Sequence, residues 1–234
     1  MEGYKITPIA TIHNNFKDKF GIPRQSNLDC GQVSQIVFEK AYRDDNSLRG
    51  LEDYSHIWLL WIFSETKGDK DWSPTVRPPR LGGNKRMGVF STRSPYHPNR
   101  IGLSCVKIAS IEKTKNDGTV INVIGADLLD GTPIIDIKPY LSFTDSHPDA
   151  KCGFADEVAA YELLVEISEI IKQSIDSDDL SEIISILKQD PRPSYHDDTD
   201  RIYGVRYSNY EIKFKVNEDI LSVISIEKLN GSEK

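Results

Sequence analysis

Residues 103–137 read LSCVKIASIEKTKNDGTVINVIGADLLDGTPIIDI and carry the clearest structural pattern of the chain. Three runs within them, 103–111, 119–129 and 133–137, are rich in apolar and β-branched residues, which favour strands. Gly, Asn and Asp separate the runs, and the Asp-Gly pair before the last run is typical of a turn between two strands. This stretch therefore predicts three consecutive strands joined by short turns.

Similar runs precede this stretch at residues 4–13, 55–63 (SHIWLLWIF) and 87–92, and turn-forming residues again separate them. Several short strands at this spacing predict a small closed or nearly closed β-barrel. We expect this barrel to form an N-terminal domain over residues 1–150.

The pattern changes near residue 150. Residues 155–173 (ADEVAAYELLVEISEIIKQ) carry apolar residues at helical spacing, and residues 180–188 predict a shorter helix that begins after two Asp residues. Strand-like runs follow at residues 202–207, 211–216 and 220–226. We expect a C-terminal α+β domain over residues 151–234, with two helices and about three strands. The predicted fold class is therefore mainly β, with an α+β appendage.

Composition and charge exclude several classes of protein. The 234 residues carry a formal net charge of -7, which argues against a protein that coats nucleic acid regardless of sequence. The first residues, MEGYKITPIA, lack the basic and apolar character of an export signal, and no run reaches membrane-spanning length. The three cysteines are widely spaced and form no CxxC pair, so we expect reduced thiols, a cytoplasmic protein and no metal site.

Three common nucleotide-binding or catalytic motifs are absent from the sequence. No GxGxxG opens a helix after a strand, no glycine-rich loop ends in GK[ST], and no GxSxG is present. The letters LGGNKR contain glycines and cations, but they lie in a proline-rich loop rather than before a helix. The sequence therefore argues against a Rossmann domain, a P-loop and a serine hydrolase with a GxSxG elbow.

A basic tract at residues 76–100 (VRPPRLGGNKRMGVFSTRSPYHPNR) stands out against the acidic chain. It contains six Lys or Arg residues, no acidic residue, four prolines and three glycines. Prolines restrict the backbone, glycines allow its close approach to a ligand, and guanidinium groups bind carboxylate or phosphate in a planar, bidentate way. We interpret the tract as a rigid anion-binding loop rather than a solvated one. Its cations are Arg77, Arg80, Lys85, Arg86, Arg93 and Arg100.

Three further islands combine Pro or Gly with polar groups: residues 23–25 (PRQ), 127–140 (DLLDGTPIIDIKPY) and 190–195 (DPRPSY). A simpler interpretation exists for each acidic or proline-rich feature. Asp130 could only shape its turn, Asp136 could pair with Lys138 on a wet surface, and DPRPSY could be a packed connector. Four such islands in one chain favour a functional site over four unrelated loops.

These islands, in this order, resemble the TsaA-like family of tRNA methyltransferases that depend on S-adenosylmethionine. The resemblance is carried by PRQ, GLEDYSHIWLLWIF, PTVRPPRLGGNKRMGVFSTRSPYHPNRIGLS, DLLDGTPIIDIKPY and DPRPSY, which span nearly the whole chain. It implies methylation at N6 of threonylcarbamoyladenosine beside the anticodon of threonine tRNA. It also implies a β-barrel that binds S-adenosylmethionine outside the Rossmann plan, and a homodimer whose site lies near the subunit contact.

The resemblance also implies a set of cofactor contacts in the first domain. A carboxylate such as that of S-adenosylmethionine requires a cation, whereas its ribose and ammonium groups suit acidic side chains. Two positions depart from the family pattern, since Ser64 stands where His is frequent and Arg100 stands where Pro is frequent. The implied cofactor contacts are Pro23, Arg24, Gln25, Ser64, Glu65, Arg93, Leu103, Asp127, Leu128, Leu129 and Asp130.

RNA recognition and proton transfer are the remaining tasks of such an enzyme. We expect most of the catalysis to come from positioning the amine, with a polar group taking the excess proton. No residue is assigned as this proton acceptor, and the candidates are Asp130, Asp136 and Tyr195. The anticodon loop of the tRNA, or the carboxylate of the modified base, would bind Arg77, Arg80, Lys85, Arg86 and Arg100.

Two other functions are compatible with parts of the pattern. The first is a non-catalytic sensor that binds S-adenosylmethionine or a nucleotide in its barrel. The second is a phosphate-ester hydrolase that uses the Asp and Arg clusters with a divalent ion. Because all the implied cofactor contacts precede residue 150, we also expect residues 1–150 to fold and bind the cofactor without the appendage.

Overall fold

The computed structural model of the chain describes residues 3–26, 31–66, 72–78, 81, 85–158, 161–192 and 198–229. Within these ranges the protein is mainly β, as predicted, and no helix is long and apolar enough to cross a membrane. The helices are α1 (Ser142–Asp145), α2 (Phe154–Val158), α3 (Glu169–Lys172) and α4 (Ser177–Lys188). The strands are β1 (Ala10–His13), β2 (Val33–Phe38), β3 (His56–Ile62), β4 (Thr75–Val76), β5 (Met87–Gly88), β6 (Ile101–Thr114), β7 (Gly118–Ile124), β8 (Pro133–Pro139), β9 (Leu164–Glu166), β10 (Tyr203–Tyr207), β11 (Tyr210–Asn217) and β12 (Ile220–Lys228).

Six strands form a closed barrel in the order β1-β2-β7-β6-β3-β8, with every neighbouring pair antiparallel. The ring closes where Ala10 of β1 pairs with both Phe38 of β2 and Ile134 of β8. Alternation explains this arrangement, because every second side chain of β3 points into the barrel. Ile57 and Leu59 are fully buried there, and burying such a side chain contributes about 1.5–3 kcal/mol.

The direction of the strands places three long connections at one end of the barrel. Strands β1, β3 and β7 run one way and β2, β6 and β8 run the other, because all the neighbours are antiparallel. The connections at residues 14–32, 63–100 and 125–132 therefore all lie at the same end. We call it the loop end; the β2–β3 connection at residues 39–55 and the short β6–β7 turn at residues 115–117 lie at the opposite end.

The C-terminal part is a four-stranded sheet in the order β10-β11-β12-β9, in which β9 runs parallel to β12. Helix α4 packs on one face of the sheet, and its Ile183 and Leu187 are fully buried in the same core as Tyr207 and Phe214. These helices and strands form an α+β unit, which has one more strand than the sequence predicted.

The long helix predicted at residues 155–173 is wrong, because α2, β9 and α3 divide this segment. The Leu163 and Leu164 N–H groups donate to the carbonyls of Lys188 and Asp219, at 2.8 Å each, which holds the middle of the segment extended. Ser168 then caps α3, since its side chain accepts from the Ile171 N–H. Long-range strand pairing therefore overrides the local helical spacing.

Smaller differences concern the first domain. Strand β2 was not among the predicted strands, and residues 4–9 precede β1 without forming a strand. The predicted strand at residues 87–92 is only two residues long and continues as a 3₁₀ turn, Val89–Ser91, in which the Thr92 hydroxyl donates to the Val89 carbonyl at 2.8 Å.

The segment after β1 belongs to the core of the C-terminal sheet rather than to the barrel core. Phe16 is 1% exposed, and its ring centroid lies 5.8 Å from that of Tyr207. The Ser208 N–H donates to the Asn15 carbonyl at 3.0 Å. A Cβ on Gly21 would lie 3.1 Å from Val205 Cγ2, so this backbone approaches β10 more closely than most side chains would allow. The first connection of the barrel therefore joins the two parts of the chain.

Candidate functional site

The loop end of the barrel collects most of the cofactor contacts implied by the resemblance. Residues 23–25 lie in the first connection, Ser64, Glu65 and Arg93 in the second, and residues 127–130 in the third. These segments are far apart in the sequence and are brought to one end by the strand order alone. Ser64 and Glu65 are exposed there, whereas Pro23 is buried.

Asp127 is the centre of a hydrogen-bonded chain at this end. The Trp61 Nε1–H donates to Ser104 Oγ at 3.0 Å, and the Ser104 hydroxyl donates to the Asp127 carboxylate. A backbone hydrogen bond from Ser26 reaches the same carboxylate. Removal of water from around Asp127 raises its pKa above the ordinary value, although the hydrogen bond from Ser104 and the charge of Arg93 act in the opposite direction.

Arg93 connects three of the four islands. Its Nη1–H donates to Gln25 Oε1 at 2.7 Å, and its positive charge acts on the Asp127 carboxylate. Arg93 is exposed, so its guanidinium can bind an additional anion from solution. A cation, an amide and a partly buried carboxylate thus lie together at the loop end. These three groups suit a ligand that carries both a positive and a negative charge.

Asp130 has a structural role in this arrangement. Its carboxylate accepts from the Asn14 N–H at 3.0 Å and from Lys17 Nζ at 2.6 Å, and the Asn14 side chain donates to the Leu128 carbonyl at 2.9 Å. Burial by itself would raise the pKa of Asp130, but the hydrogen bonds from Lys17 and Asn14 outweigh it, and the pKa is lowered. Asp130 therefore fixes its turn to the end of β1 and is a weak base.

Three of the other implied cofactor residues, Leu128, Leu103 and Arg24, do not present their side chains at this point. Leu128 is fully buried in the barrel core, and Leu103 lies on the outer face of β6 with 48% of its surface exposed. The Arg24 guanidinium donates to the Asp190 carbonyl, and the Arg24 N–H donates to Gln189 Oε1 at 3.3 Å. Arg24 thus faces the segment that follows α4. Leu129 is partly buried in the third connection.

The proposed proton acceptors are not brought together. Asp136 lies on β8, and its Oδ2 atom is 2.6 Å from Lys138 Nζ in a mostly exposed pair, which agrees with the simpler interpretation of this motif. Tyr195 lies outside the described residues. In the same island, Arg192 Nε donates to Asp190 Oδ1 at 2.8 Å, so DPRPSY begins as a packed connector beside Arg24.

The RNA-binding cations fall into two groups. Strands β4 and β5 form a two-stranded ribbon, with Val76 paired to Met87, and exposed Arg77, Lys85 and Arg86 lie at its end. Arg100 is different, because its Nη1–H donates to the Thr66 carbonyl at 2.7 Å and it has a φ of 47°. Arg100 therefore braces the turn that carries Ser64 and Glu65. Arg80 lies outside the described residues.

Polar side chains inside the loop end were not expected from the sequence. Gln32 and Ser34 are 3% and 1% exposed, and their side-chain N and O atoms have no hydrogen-bond partner among the described residues. A buried polar atom without a partner costs about 1–3 kcal/mol and usually indicates a water, an ion or a ligand. These groups fit a polar ligand such as S-adenosylmethionine. The only sequence signal is their place at the start of the apolar alternation of β2.

The Ser104→Ala substitution tests the chain that ends at Asp127. We expect it to lower the free energy of unfolding by about 1–3 kcal/mol, because the buried Trp61 N–H and the Asp127 carboxylate both lose a partner. Urea denaturation measures the change. Ser34→Ala is the matched control, since Ser34 is equally buried but has no partner among the described residues. Equal effects of the two substitutions would contradict the assigned hydrogen bonds.

No group of three or more His, Cys, Asp or Glu side chains is placed to hold a metal ion within the described ranges. Cys105 is partly buried, Cys152 is exposed, and neither is part of a disulfide bond. Cys30 lies outside the described residues. The candidate site consists of Arg93, Gln25 and Asp127, with Ser104 hydrogen-bonded to the Asp127 carboxylate.

Comparisons with known proteins cover both parts of the chain. A family model described as the tRNA-methyltransferase O N-terminal domain matches residues 11–146, and one described as the TrmO C-terminal domain matches residues 160–229. The tRNA (adenine(37)-N6)-methyltransferase of Escherichia coli (strain K12) is 37% identical over 235 residues, which covers 97% of this chain and 99% of that protein.

Two similar proteins come from Pseudomonas aeruginosa. One has S-adenosylmethionine-dependent methyltransferase in its name and is 36% identical over 232 residues, covering 95% of this chain and 97% of that protein. The other is the crystal structure of a TrmO, which superimposes with a TM-score of 0.77 at 30% identity and covers 97% of this chain and 98% of that one.

Proposed function

Because this chain belongs to the tRNA-methyltransferase O family, we propose that it transfers the methyl group of S-adenosylmethionine to N6 of an adenosine in tRNA. The finer part of the proposal is the substrate, threonylcarbamoyladenosine beside the anticodon of threonine tRNA. The observation that supports a cofactor site at the loop end of the barrel is that Gln25, Arg93 and Asp127 interact there. The non-catalytic sensor is not favoured.

The cofactor would be held by groups from all three connections. When bound, S-adenosylmethionine supplies an electrophilic methyl group. We propose that Arg93 binds its carboxylate and that Asp127 accepts from its ribose hydroxyls, with Gln25 fixing the guanidinium. Glu65 is exposed at the same end and suits the ammonium group. The backbone of residues 128–129 completes the polar lining, together with the Gln32 and Ser34 side chains, which have no hydrogen-bond partner among the described residues.

The residues of the chain act chiefly by positioning. Holding the amine nearly fixed beside the methyl donor accelerates the transfer by orienting the two reactants. No covalent protein intermediate is needed. Asp130 is not retained as the proton acceptor because its carboxylate is occupied by Lys17 and Asn14. Asp136 is not retained because it pairs with Lys138. Tyr195 stays a candidate for this role.

The tRNA would approach the loop end along the β4–β5 ribbon. The exposed Arg77, Lys85 and Arg86 suit the phosphates of the anticodon arm, and Arg80 in the same tract is included in this proposal. Arg100 is proposed to act indirectly through the turn it braces. An anticodon-loop base is easily splayed out, so methylation avoids most of the cost of opening a duplex.

The proposal includes a cytoplasmic homodimer without a metal, with a domain boundary near residue 150. The first family match ends at residue 146 and the second begins at residue 160, which supports that boundary. Ile101 and Leu103 lie exposed on the outer face of β6, opposite Ile62 and Leu60 of β3. This apolar strip supports a contact between two copies, through which Leu103 would reach the cofactor site of the other copy.

Incubation of the protein with radiolabelled S-adenosylmethionine and bulk bacterial tRNA tests the function. Transfer of label to tRNA supports the methyltransferase, and nucleoside mass spectrometry then identifies the modified base. Cofactor binding without transfer would support the sensor. A metal-dependent release of phosphate without either would support the hydrolase.

The Arg93→Ala substitution is expected to weaken S-adenosylmethionine binding by about 2–4 kcal/mol, because the carboxylate of the cofactor loses its cation. Isothermal titration calorimetry measures the dissociation constant. Arg49→Ala is the control, since Arg49 is an exposed arginine in the β2–β3 connection, at the opposite end of the barrel. Unchanged affinity after Arg93→Ala would remove Arg93 from the site.

A further inference from the structure

Three aromatic rings lie next to one another in the second connection of the barrel. The ring centroids of Trp72 and Phe90 are 6.4 Å apart with their planes 33° from parallel, and the His97 ring lies 5.7 Å from Phe90, edge to face. Phe90 is 73% exposed and Trp72 is 54% exposed. We call these three side chains the aromatic cluster.

The backbone holds the cluster outward. Phe90 lies in the 3₁₀ turn Val89–Ser91, whose Val89 side chain is 1% exposed and anchors the turn. The Val89 N–H donates to the Pro74 carbonyl at 2.9 Å, which ties the turn to the segment that carries Trp72. His97 is also fixed, because its Nε2 atom lies 2.8 Å from the Thr92 carbonyl. The exposure of the rings is therefore a property of an anchored turn.

Such exposure requires an explanation, because burial of a Phe side chain contributes about 1.5–3 kcal/mol that this arrangement leaves unused. Adjacent exposed apolar side chains commonly mark an interaction surface. The family resemblance assigned the cations and the turn residues of this connection but gave no role to Trp72, Phe90 or His97.

The charges around the cluster favour one class of partner. The β4–β5 ribbon that follows Trp72 carries Arg77, Lys85 and Arg86, and residues 76–100 contain no acidic residue in a chain of formal net charge -7. The centre of a protein contact usually lacks such charges. Exposed aromatic rings beside a basic strip are the combination that binds single-stranded nucleic acid, through base stacking and phosphate contacts.

We propose that Trp72 and Phe90 form a stacking platform for unpaired bases of the tRNA anticodon loop, with His97 supporting Phe90 edge to face. The inference rests on the proposed tRNA methylation and extends it to the surface that holds the splayed loop. Phosphates on either side of the stacked bases bind the cations of the ribbon. The platform thereby presents the neighbouring adenosine to the loop end of the barrel.

Binding of an anticodon stem-loop RNA to the Trp72→Ala, Phe90→Ala and double variants tests the platform. We expect each single substitution to weaken binding by roughly tenfold and the double substitution by roughly a hundredfold, as for loss of a base–aromatic stack. Calorimetric binding of S-adenosylmethionine is expected to be unchanged and shows that each variant is folded. Phe90→Tyr retains a stacking ring and is expected to bind RNA like the parent protein.

Two controls separate stacking from a general loss of surface. Phe143→Ala removes another ring, 87% exposed in α1, and is expected to leave RNA binding unchanged. A blunt duplex with the sequence of the stem offers phosphates without unpaired bases, and the Trp72→Ala and Phe90→Ala variants are expected to bind it like the parent protein.

Three results would overturn the platform. RNA affinity of the double variant equal to that of the parent would do so, as would equal losses for the stem-loop and the duplex. A change from dimer to monomer in light scattering, with RNA affinity per protomer unchanged, would assign the cluster to a contact between copies instead. Failure of the proposed function is separate, because it would appear as a parent protein that transfers no label to tRNA.

Discussion

A chain that ends at residue 150 is expected to bind S-adenosylmethionine at least about a hundredfold more weakly than the full chain, a loss of about 2.8 kcal/mol. The truncation exposes Phe16, which is 1% exposed in the core shared with Tyr207. It also removes Gln189 and Asp190, the hydrogen-bond acceptors of Arg24. Because Gln25 and Arg93 contact each other, disorder in the first connection also removes support from the cofactor cation. Calorimetry with both chains measures the difference.

The control for this truncation is a chain that ends at residue 229, which keeps every described residue. It is expected to bind the cofactor like the full chain. A second comparison uses Phe16→Ala in the full chain, which is expected to lower the free energy of unfolding by about 3–5 kcal/mol. A folded 1–150 chain that binds within tenfold of the full chain would restore the sequence-based expectation of an independent barrel.

The Gly102→Ala substitution is expected to lower the free energy of unfolding by about 3 kcal/mol, near the upper part of the usual range for an overpacked core. A Cβ at Gly102 would lie 2.2 Å from Trp61 Cε2, so the indole ring must move. The ring cannot move freely, because its Nε1–H donates to Ser104 and its centroid lies 4.3 Å from that of Phe63. Thermal and urea unfolding measure the loss.

Gly204→Ala provides the matched control, since Gly204 also lies in a strand and a Cβ there would meet nothing closer than the Ile212 carbonyl at 4.0 Å. Its effect is expected to be within about 0.5 kcal/mol, as for substitutions away from packed features. We also expect Gly102→Ala to weaken cofactor binding, because displacement of Trp61 disturbs the Ser104 contact to Asp127. Equal stability of the two variants would show that the Trp61 ring can move away from a Cβ at position 102 at little cost.

The class of the fold was accessible from the sequence because its signals are local. The alternation in residues 103–137 predicted β6, β7 and β8, and the Asp-Gly turn lies where it was expected. The segment at residues 155–173 was mispredicted because LLVEI satisfies both helical and alternating patterns. What decides between them is the pairing of Leu164 with Ile220, a contact between distant residues that no local pattern contains.

The sequence predicted which loops form the site, but it did not predict which way their side chains point. Gln25, Arg93 and Asp127 do come together, since strand order brings their connections to one end. Arg24 and Leu128 point elsewhere, because hydrogen bonds to the segment after α4 orient Arg24 and packing in the barrel core orients Leu128. Ser104 was missed since a serine in an apolar alternation looks like a core position; only its contacts identify it.

The one-sided arrangement of the barrel has a practical consequence for handling the protein. The connections at residues 14–32, 63–100 and 125–132 share one end, whereas the β2–β3 connection and the turn at residues 115–117 lie at the opposite end, where Thr114 Oγ1 donates to the Gly118 carbonyl at 3.0 Å. Lys115 in that turn is exposed. A linker attached at this position would immobilise the molecule on a sensor chip or a microscope slide in a single orientation. The tethered protein would then present its basic ribbon to the flowing solution, ready for single-molecule recording of tRNA arrivals.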